Sequence, residues 1–206
     1  EDYVSWNWKA GTTSGINATG ADITPSSYSF NQTAGFSIIQ YTGDGTSGSD
    51  LAHGLGAVPK TVIVKQTSST RGWTVYSVGT AGGSSPEDYS FRFNTNAAAD
   101  NDAGYWNDTA LGSVLITLGN SGDVNADGAT YIAYCFASKQ GYSKFGTYKG
   151  NAANAIGSGT FVYTGFRPAM VITKKSDGTG GWYQIDNRRP GYNINFGLFP
   201  HVESVE

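Results

Sequence analysis

The sequence predicts an all-β fold, a β-sandwich-type domain built from repeated hairpin units with little or no helix. The first observation is an internal repeat, because Pro59–Tyr76 returns as Pro168–Ile185 with matching residues 109 positions apart and no gap. Each copy has an apolar β-branched run, a polar turn, and a second run that begins with Trp, which is typical of a β-hairpin. The other two observations are compositional: charged residues make up only 14 %, and Gly contributes 29 residues, which disfavours helix.

Further strands are predicted where apolar and polar residues alternate, or where turn residues bound an apolar run. In chain order these strands are Tyr3–Lys9, Phe36–Tyr41, Tyr89–Asn94, Val114–Leu118 and Thr130–Ala137. The last of them is the most apolar run, which indicates a central strand. Ala10–Thr33 is polar and rich in turn residues, which predicts a surface loop with a short strand near Tyr28–Phe30.

The repeat extends beyond the hairpin. Gly35-Phe36-Ser37 and Tyr41-Thr42-Gly43 return as Gly141-Tyr142-Ser143 and Tyr148-Lys149-Gly150. The opening run Tyr3–Trp8 also resembles Tyr131–Phe136, the strand that would end the first unit. The repeat therefore indicates a construction from units, with strands that recur in the same order.

We expect three segments. Residues 1–34 hold a strand like the end of a preceding unit plus a loop, residues 35–137 form the first full β unit, and residues 138–206 form a second, shortened β unit packed on the first. Two explanations are open. The favoured one is a fragment of a longer repetitive protein that folds as one piece; in the other, the opening strand folds back, completes the second unit and protects its exposed edges.

Charge and length exclude two classes of partner. The formal net charge is -3, and Lys174-Lys175 and Arg188-Arg189 are the only paired cations. Because a nucleic-acid binder needs a concentrated basic face, we expect no nucleic-acid partner. No apolar run in the sequence approaches the length of a membrane span, so we expect no membrane insertion.

Two glycine-containing motifs resemble ligand sites. Gly43–Gly48 matches G-x-G-x-x-G after a strand, but the following residues lack a helical period, so a turn is favoured over a dinucleotide site. Asp123–Gly128 matches the first half of a calcium loop, with Asp123, Asn125 and Asp127 as candidate ligands. Tyr134 stands where the bidentate acid belongs, so a turn is favoured there too, with calcium as the alternative.

Catalysis finds little support in the sequence. His53 and His201 lie far apart without metal-ligand spacing, no G-x-S-x-G elbow occurs, and Cys135 lies in the most apolar strand, where a buried inert thiol is expected. We therefore expect a protein that is not an enzyme and uses no cofactor.

Aromatic side chains are the remaining candidates for function. Those in predicted strands are expected to pack in the core: Trp73, Trp182, Tyr131, Tyr134 and Phe136. By contrast, Tyr105-Trp106-Asn107-Asp108 is predicted to be a loop, and aromatic rings beside Asn and Asp favour recognition of sugars or protein partners.

An ordered series of motifs covers nearly the whole chain: Gly35–Gly43, His53–Gly56, Pro59-Lys60, Ile63–Lys65, Trp73 with Val75-Tyr76, Tyr105–Thr109, Tyr131–Ala137, Gly141–Gly146 and Phe161–Pro168. This series resembles a domain common in marine bacteriophage structural proteins. Proteins with this domain are large, often tail-fibre-like virion proteins with other β-sandwich modules nearby. The resemblance carries no catalytic residues.

The expected function is therefore that of a non-enzymatic bacteriophage virion structural protein, from a tail fibre or surface appendage that contacts the host. The expected location is the virion surface or extracellular space. The expected partners are other virion subunits in a homo-oligomer, with a trimer favoured, and a host cell-surface glycan or protein. The alternatives are a carbohydrate-binding module of an extracellular protein, and a self-assembling filament or capsid-decoration protein.

Overall fold

The computed structural model describes residues 5, 7–152, 158–188 and 197–202. The strands of this part of the chain are β1 (Ser27–Asn31), β2 (Phe36–Thr42), β3 (Ser49–Ala52), β4 (Thr61–Gln66), β5 (Trp73–Ser77), β6 (Tyr89–Arg92), β7 (Asp100–Asn101), β8 (Leu115–Leu118), β9 (Thr130–Phe136), β10 (Met170–Lys174) and β11 (Trp182–Asp186). Helical turns occur at Thr80–Gly83, Pro86–Asp88 and α1 (Ala103–Trp106). Every pair of these strands is antiparallel, and the predicted all-β fold is confirmed.

The main sheet has seven strands in the order β1-β2-β9-β4-β5-β6-β7. Strand β9 lies between β2 and β4, so its predicted central position is confirmed. Its side chains alternate between half-buried and buried, as do those of β4, because successive residues of a strand point to opposite faces of the sheet. The side chains on one face of β4 and β9 are therefore buried.

The core fills the space between that buried face and a second, two-stranded sheet of β3 and β8. Tyr41 and Tyr131 stack with ring centroids 5.1 Å apart, and both side chains are fully buried. Trp106 meets Tyr76 edge-on at 5.8 Å, and Leu51 contributes from β3. Because residues of both sheets share this core, the layers pack as in a sandwich.

Three strand assignments differ from the sequence prediction, and one of them is β7 (Asp100–Asn101), which lies in a segment predicted to be a loop, Asn96–Gly104. Strand β3 was not expected, because Ser49–Ala52 is short and follows a glycine-rich turn; it forms because Leu51 packs into the core against β8. Tyr3, Val4 and Trp6 of the predicted strand Tyr3–Lys9 lie outside the described residues. Ser5 and Asn7–Lys9 are described and belong to no strand, since Trp8 packs its ring against Phe36 and Phe136 instead.

The repeated hairpin has the same register in both copies. In the first copy Thr61 pairs with Ser77 and Lys65 with Trp73. In the second copy the matching pairs are Met170 with Asp186 and Lys174 with Trp182. The closing hydrogen bonds also match, at 2.9 Å from Val78 N to Lys60 O and 3.0 Å from Asn187 N to Ala169 O. The two predicted hairpins are confirmed, and they have the same register.

The second hairpin packs on the first unit through Trp182. This side chain contacts Phe91 and Phe93, and its Nε1 donates a hydrogen bond to Arg92 O at 2.8 Å. With Val75 and Phe91 it forms a small apolar cluster on the face of the main sheet opposite the large core. Among the described helices, none is long and apolar enough to cross a membrane.

Candidate interaction surface

The predicted recognition loop, Tyr105 to Asp108, is largely buried. Asp102 caps α1 by accepting a hydrogen bond from Gly104 N at 2.8 Å. The turn that follows rotates Tyr105 and Trp106 into the core, where 5 % and 0 % of their surfaces remain exposed. Asn107 is half-buried and Asp108 is exposed. The prediction of surface recognition by Tyr105 and Trp106 is therefore wrong, because the helical turn directs both rings inward.

Tyr105 instead belongs to a network of charged side chains. Its hydroxyl donates to Asp100 at 3.1 Å and accepts from Arg92 at 2.5 Å. Arg92 also donates to Asp123 at 2.6 Å, and Arg71 lies 3.3 Å from the other oxygen of that carboxylate. Burial raises the pKa of Tyr105, which keeps the phenol neutral. This network connects β6 to the turn before β9. It contains two arginines and two aspartates, so its positive and negative charges balance.

The same network decides how the calcium candidates are used. Asp123 is paired with two guanidinium groups, and Asp127 is exposed. Asn125 is fully buried, and its amide nitrogen donates to Asp44 Oδ1 at 3.0 Å and to Thr46 O at 2.9 Å. Within the described residues no group of three His, Cys, Asp or Glu could hold a metal ion. The three candidates serve as structural parts of a turn.

The glycine-rich segment Gly43–Gly48 forms the other side of that contact. A Cβ on Gly43 would lie 2.4 Å from Ala126 O, so this glycine is needed for close backbone packing. Burial opposes ionisation of Asp44, but hydrogen bonds from Ser49, Thr46 and Asn125 outweigh it and lower the pKa of Asp44. Strand β3 follows the segment where a dinucleotide site needs a helix. The interpretation as a turn is confirmed.

The nucleophilic and basic side chains are isolated from one another. His53 is fully buried, with Nε2 3.2 Å from Gly112 O and Nδ1 accepting from Leu55 N at 3.3 Å. Burial lowers the pKa of His53 to about 4, so the imidazole is neutral at pH 7. Cys135 is fully buried as predicted, and burial raises its pKa to about 12. His201 accepts a hydrogen bond from Trp182 N at 3.2 Å in the second hairpin, away from both.

Exposed rings occur instead between β9 and β10. We define the aromatic strip as Tyr142 (53 % exposed), Tyr148 (54 %), Phe161 (85 %) and Tyr163 (71 %). Lys144 supports Tyr163, since its Nζ donates to Tyr163 O at 2.7 Å and lies 5.3 Å from the ring centre. Contiguous exposed apolar patches mark interaction surfaces on soluble proteins, which makes these four exposed rings the candidates for one. The sequence signal was the repeat, which pairs Tyr142 and Tyr148 with Phe36 and Tyr41.

Residues 1–204 match the family described as Domain of unknown function (DUF7483). The chain belongs to this family. No curated protein and no solved structure matches the chain.

In this DUF7483 chain, the aromatic strip differs from the matching part of the first unit. Phe36 and Tyr41 lie in β2 and are 6 % and 0 % exposed, because Phe36 packs on Trp8 and Phe136 and Tyr41 stacks on Tyr131. Tyr142 and Tyr148 belong to no strand. The same kind of sequence is therefore core in one unit and surface in the other.

Proposed function

We propose that the protein is a non-enzymatic structural component of a bacteriophage virion, a module of a tail fibre or surface appendage that contacts the host. The aromatic strip is the observation that carries the proposal, because Tyr142, Tyr148, Phe161 and Tyr163 leave more than half of their surface open on a chain of low charge. Such rings are typical of sites that another subunit covers. The ordered motifs that resemble marine phage structural proteins supply the biological context.

The proposal includes assembly of the chain with copies of itself, with a trimer favoured. Subunit interfaces are enriched in Tyr, Trp and Phe, and their centres are depleted in charge, which is the composition of the strip. The charges of Arg92, Asp100 and Asp123 in the first unit are paired with one another or with the Tyr105 hydroxyl. The location that follows is the virion surface.

The molar mass of the purified chain, measured by light scattering after size exclusion, tests this proposal. We expect a discrete oligomer, and we expect Phe161→Ser with Tyr163→Ser to weaken it at least tenfold. Val58→Ser is the matched control, because Val58 is an exposed apolar residue (39 %) outside the strip. A monomer at all concentrations would overturn the assembly claim. Binding of the oligomer to bacterial cells, lost in the strip variant, would support the attachment role.

A carbohydrate-binding module is the second candidate, and the same rings favour it. Tyr163 with Lys144 beside it offers a flat apolar surface next to a hydrogen-bond donor, which suits a sugar ring. A glycan array distinguishes the two functions. Binding by a monomeric chain, lost in Tyr163→Ser, would favour the carbohydrate module, whereas long heterogeneous polymers without glycan binding would favour a filament or capsid-decoration protein.

A further inference from the structure

One edge of β10 differs from the matching edge of β4. Strand β4 pairs with β9 along its whole length, and Lys60 N donates to Phe136 O at 2.7 Å while Thr67 N donates to Thr130 O at 2.8 Å. The matching residues of the second unit are Ala169 and Ser176. Within the described residues, β11 is the only strand that pairs with β10. Such an edge presents backbone groups that a further strand can pair with.

The second unit also exposes the residues that are equivalent to β2, the other neighbour of β9. In the first unit β9 pairs with β2, and this pairing covers Phe36 and Tyr41. The matching rings, Tyr142 and Tyr148, are 53 % and 54 % exposed. The equivalents of both partners of β9 are therefore unpaired on the side that β9 occupies in the first unit, within the described residues.

We propose that residues 3–8 of a second copy of the chain supply this strand, adding to β10 in the antiparallel direction. Tyr3–Trp8 matches Tyr131–Phe136 in the sequence, and Tyr3, Ser5 and Asn7 correspond to the inward-facing residues of β9. The described members of this run, Ser5, Asn7 and Trp8, pair with no strand of their own chain. Addition of a strand to an exposed sheet edge is a common mode of protein recognition.

The register of the first unit fixes the pairing. Val62 lies opposite Cys135 and Gln66 opposite Tyr131, so the donated strand places Asn7 opposite Val171 and Tyr3 opposite Lys175. This register places Val4 opposite Lys174, and it places Asp2 opposite Ser176, one position beyond Lys175.

The residues that follow the proposed donated strand are hydrogen-bonded to β1. Asn31 Nδ2 donates to Lys9 O at 3.3 Å, and Gly11 N donates to Ser29 Oγ at 2.9 Å, which joins the chain to β1 just after the donated residues. Trp8 has to leave Phe36 and Phe136 for the exchange, and 39 % of its surface is already exposed. Each copy donates at one end and accepts at the other, a head-to-tail contact that closes into a ring or continues as a filament.

Disulfide cross-linking between two single variants of the full chain tests the inference. Asn7→Cys and Val171→Cys are purified separately, mixed and oxidised; the buried Cys135 stays unreactive. We expect a cross-linked heterodimer in which mass spectrometry identifies a disulfide between positions 7 and 171. The matched control replaces Val171→Cys by Ile172→Cys, whose side chain points to the opposite face of the strand, and we expect at least tenfold less product.

Equal yields from the two mixtures, or no product in either, would overturn the inference. A chain carrying both cysteines that forms only an internal disulfide would overturn it as well, because residues 3–8 would then complete their own second unit. Ser5→Cys with Thr173→Cys is the next matched pair and replaces the first if Val171→Cys does not fold. The inference deepens the assembly part of the proposed function, and an oligomer that forms without this cross-link contradicts the strand exchange alone.

Discussion

The hairpins β4–β5 and β10–β11 have the same local structure in two different environments. Their residues pair in the same register, 109 positions apart. In the first copy Val62 is fully buried under β9 and the core, whereas its equivalent Val171 is half-buried and Ile172 is 40 % exposed. The comparison teaches that the hairpin's own sequence sets its register, while neighbouring strands determine how much each residue contributes to stability.

The Trp position reverses this asymmetry. Trp73 in the first hairpin is half-buried and stacks on Tyr134 with centroids 6.3 Å apart. Trp182 in the second hairpin is 7 % exposed, packs against Phe91 and Phe93 and donates a hydrogen bond to Arg92 O. The second hairpin is attached to the first unit through Trp182, through Gly180 N, which donates to Asn96 O at 2.9 Å, and through Lys174 Nζ, which lies 5.2 Å from the Phe91 ring centre. The first hairpin is held by strand pairing with β9.

Substitution of the matched valines by Asp should show the largest difference. Val62→Asp places a charge in the dry core and should lower the free energy of unfolding by about 4 kcal/mol or more. Val171→Asp puts the same charge at a half-buried site and should cost about 1 kcal/mol or less. Urea denaturation followed by Trp fluorescence measures both. Equal losses would contradict the environmental account of the two hairpins.

The Trp positions should show the opposite order. Trp182→Ala removes the anchor of the second hairpin and should cost about 3 to 4 kcal/mol for the opening of residues 170–186. Trp73→Ala removes a half-buried ring and should cost about 1 to 2 kcal/mol. Native-state hydrogen exchange reports the opening of each hairpin separately. If Trp73→Ala opens its hairpin more than Trp182→Ala opens the other, the anchoring role of Trp182 is wrong.

Acid should destabilise the first unit through His53. Burial lowers the pKa of His53 to about 4 from 6.5, so the unfolded chain binds a proton that the folded chain excludes between these pH values. The stabilisation is present above pH 6.5 and is lost as the pH falls towards 4, by roughly 3 kcal/mol in total. Denaturation at several pH values should show this slope, and His53→Gln should remove most of it.

Hydrogen exchange distinguishes the two units in the same titration. Amides of Ser49–Gln66, around His53, should lose protection before those of β10 and β11. Simultaneous loss in both units, or an unchanged slope in His53→Gln, would assign the acid sensitivity to other groups.

The comparison also shows how far the sequence leads. Alternation and β-branched residues predicted β2, β4, β5, β6, β8 and β9, because a strand buried on one face leaves a period of two. The central position of β9 followed from its continuous apolar run, whereas its neighbours β2 and β4 are known only from the structure. Strand β3 could not be predicted, because Ser49–Ala52 is short and its partner β8 lies far along the chain, so no hairpin turn indicates the pairing. Only the folded structure shows that Leu51 is buried in the core.

The site shows the opposite balance. Tyr105 and Trp106 have the composition of a recognition loop, but the Asp102 cap starts a single helical turn that rotates both rings into the core. Four residues are too few for a helical period to be visible in the sequence. Conversely, Tyr142 and Tyr148 match core residues of the first unit, and their exposure depends on the strand beside them. The sequence pattern of a segment therefore predicts the burial of its side chains only when the neighbouring strands are present.

The smallest change in stability is expected at the strip itself. Tyr148→Ser should alter the free energy of unfolding of the monomer by no more than about 0.5 kcal/mol, because the ring is 54 % exposed. The same substitution should weaken self-association about tenfold, since the ring matches Tyr41, which β9 covers in the first unit. Sedimentation velocity measures the association and urea denaturation the stability, with Val58→Ser as control. A large loss of monomer stability would mean that Tyr148 is a core residue of its own unit, and the open face of that unit would then need another explanation.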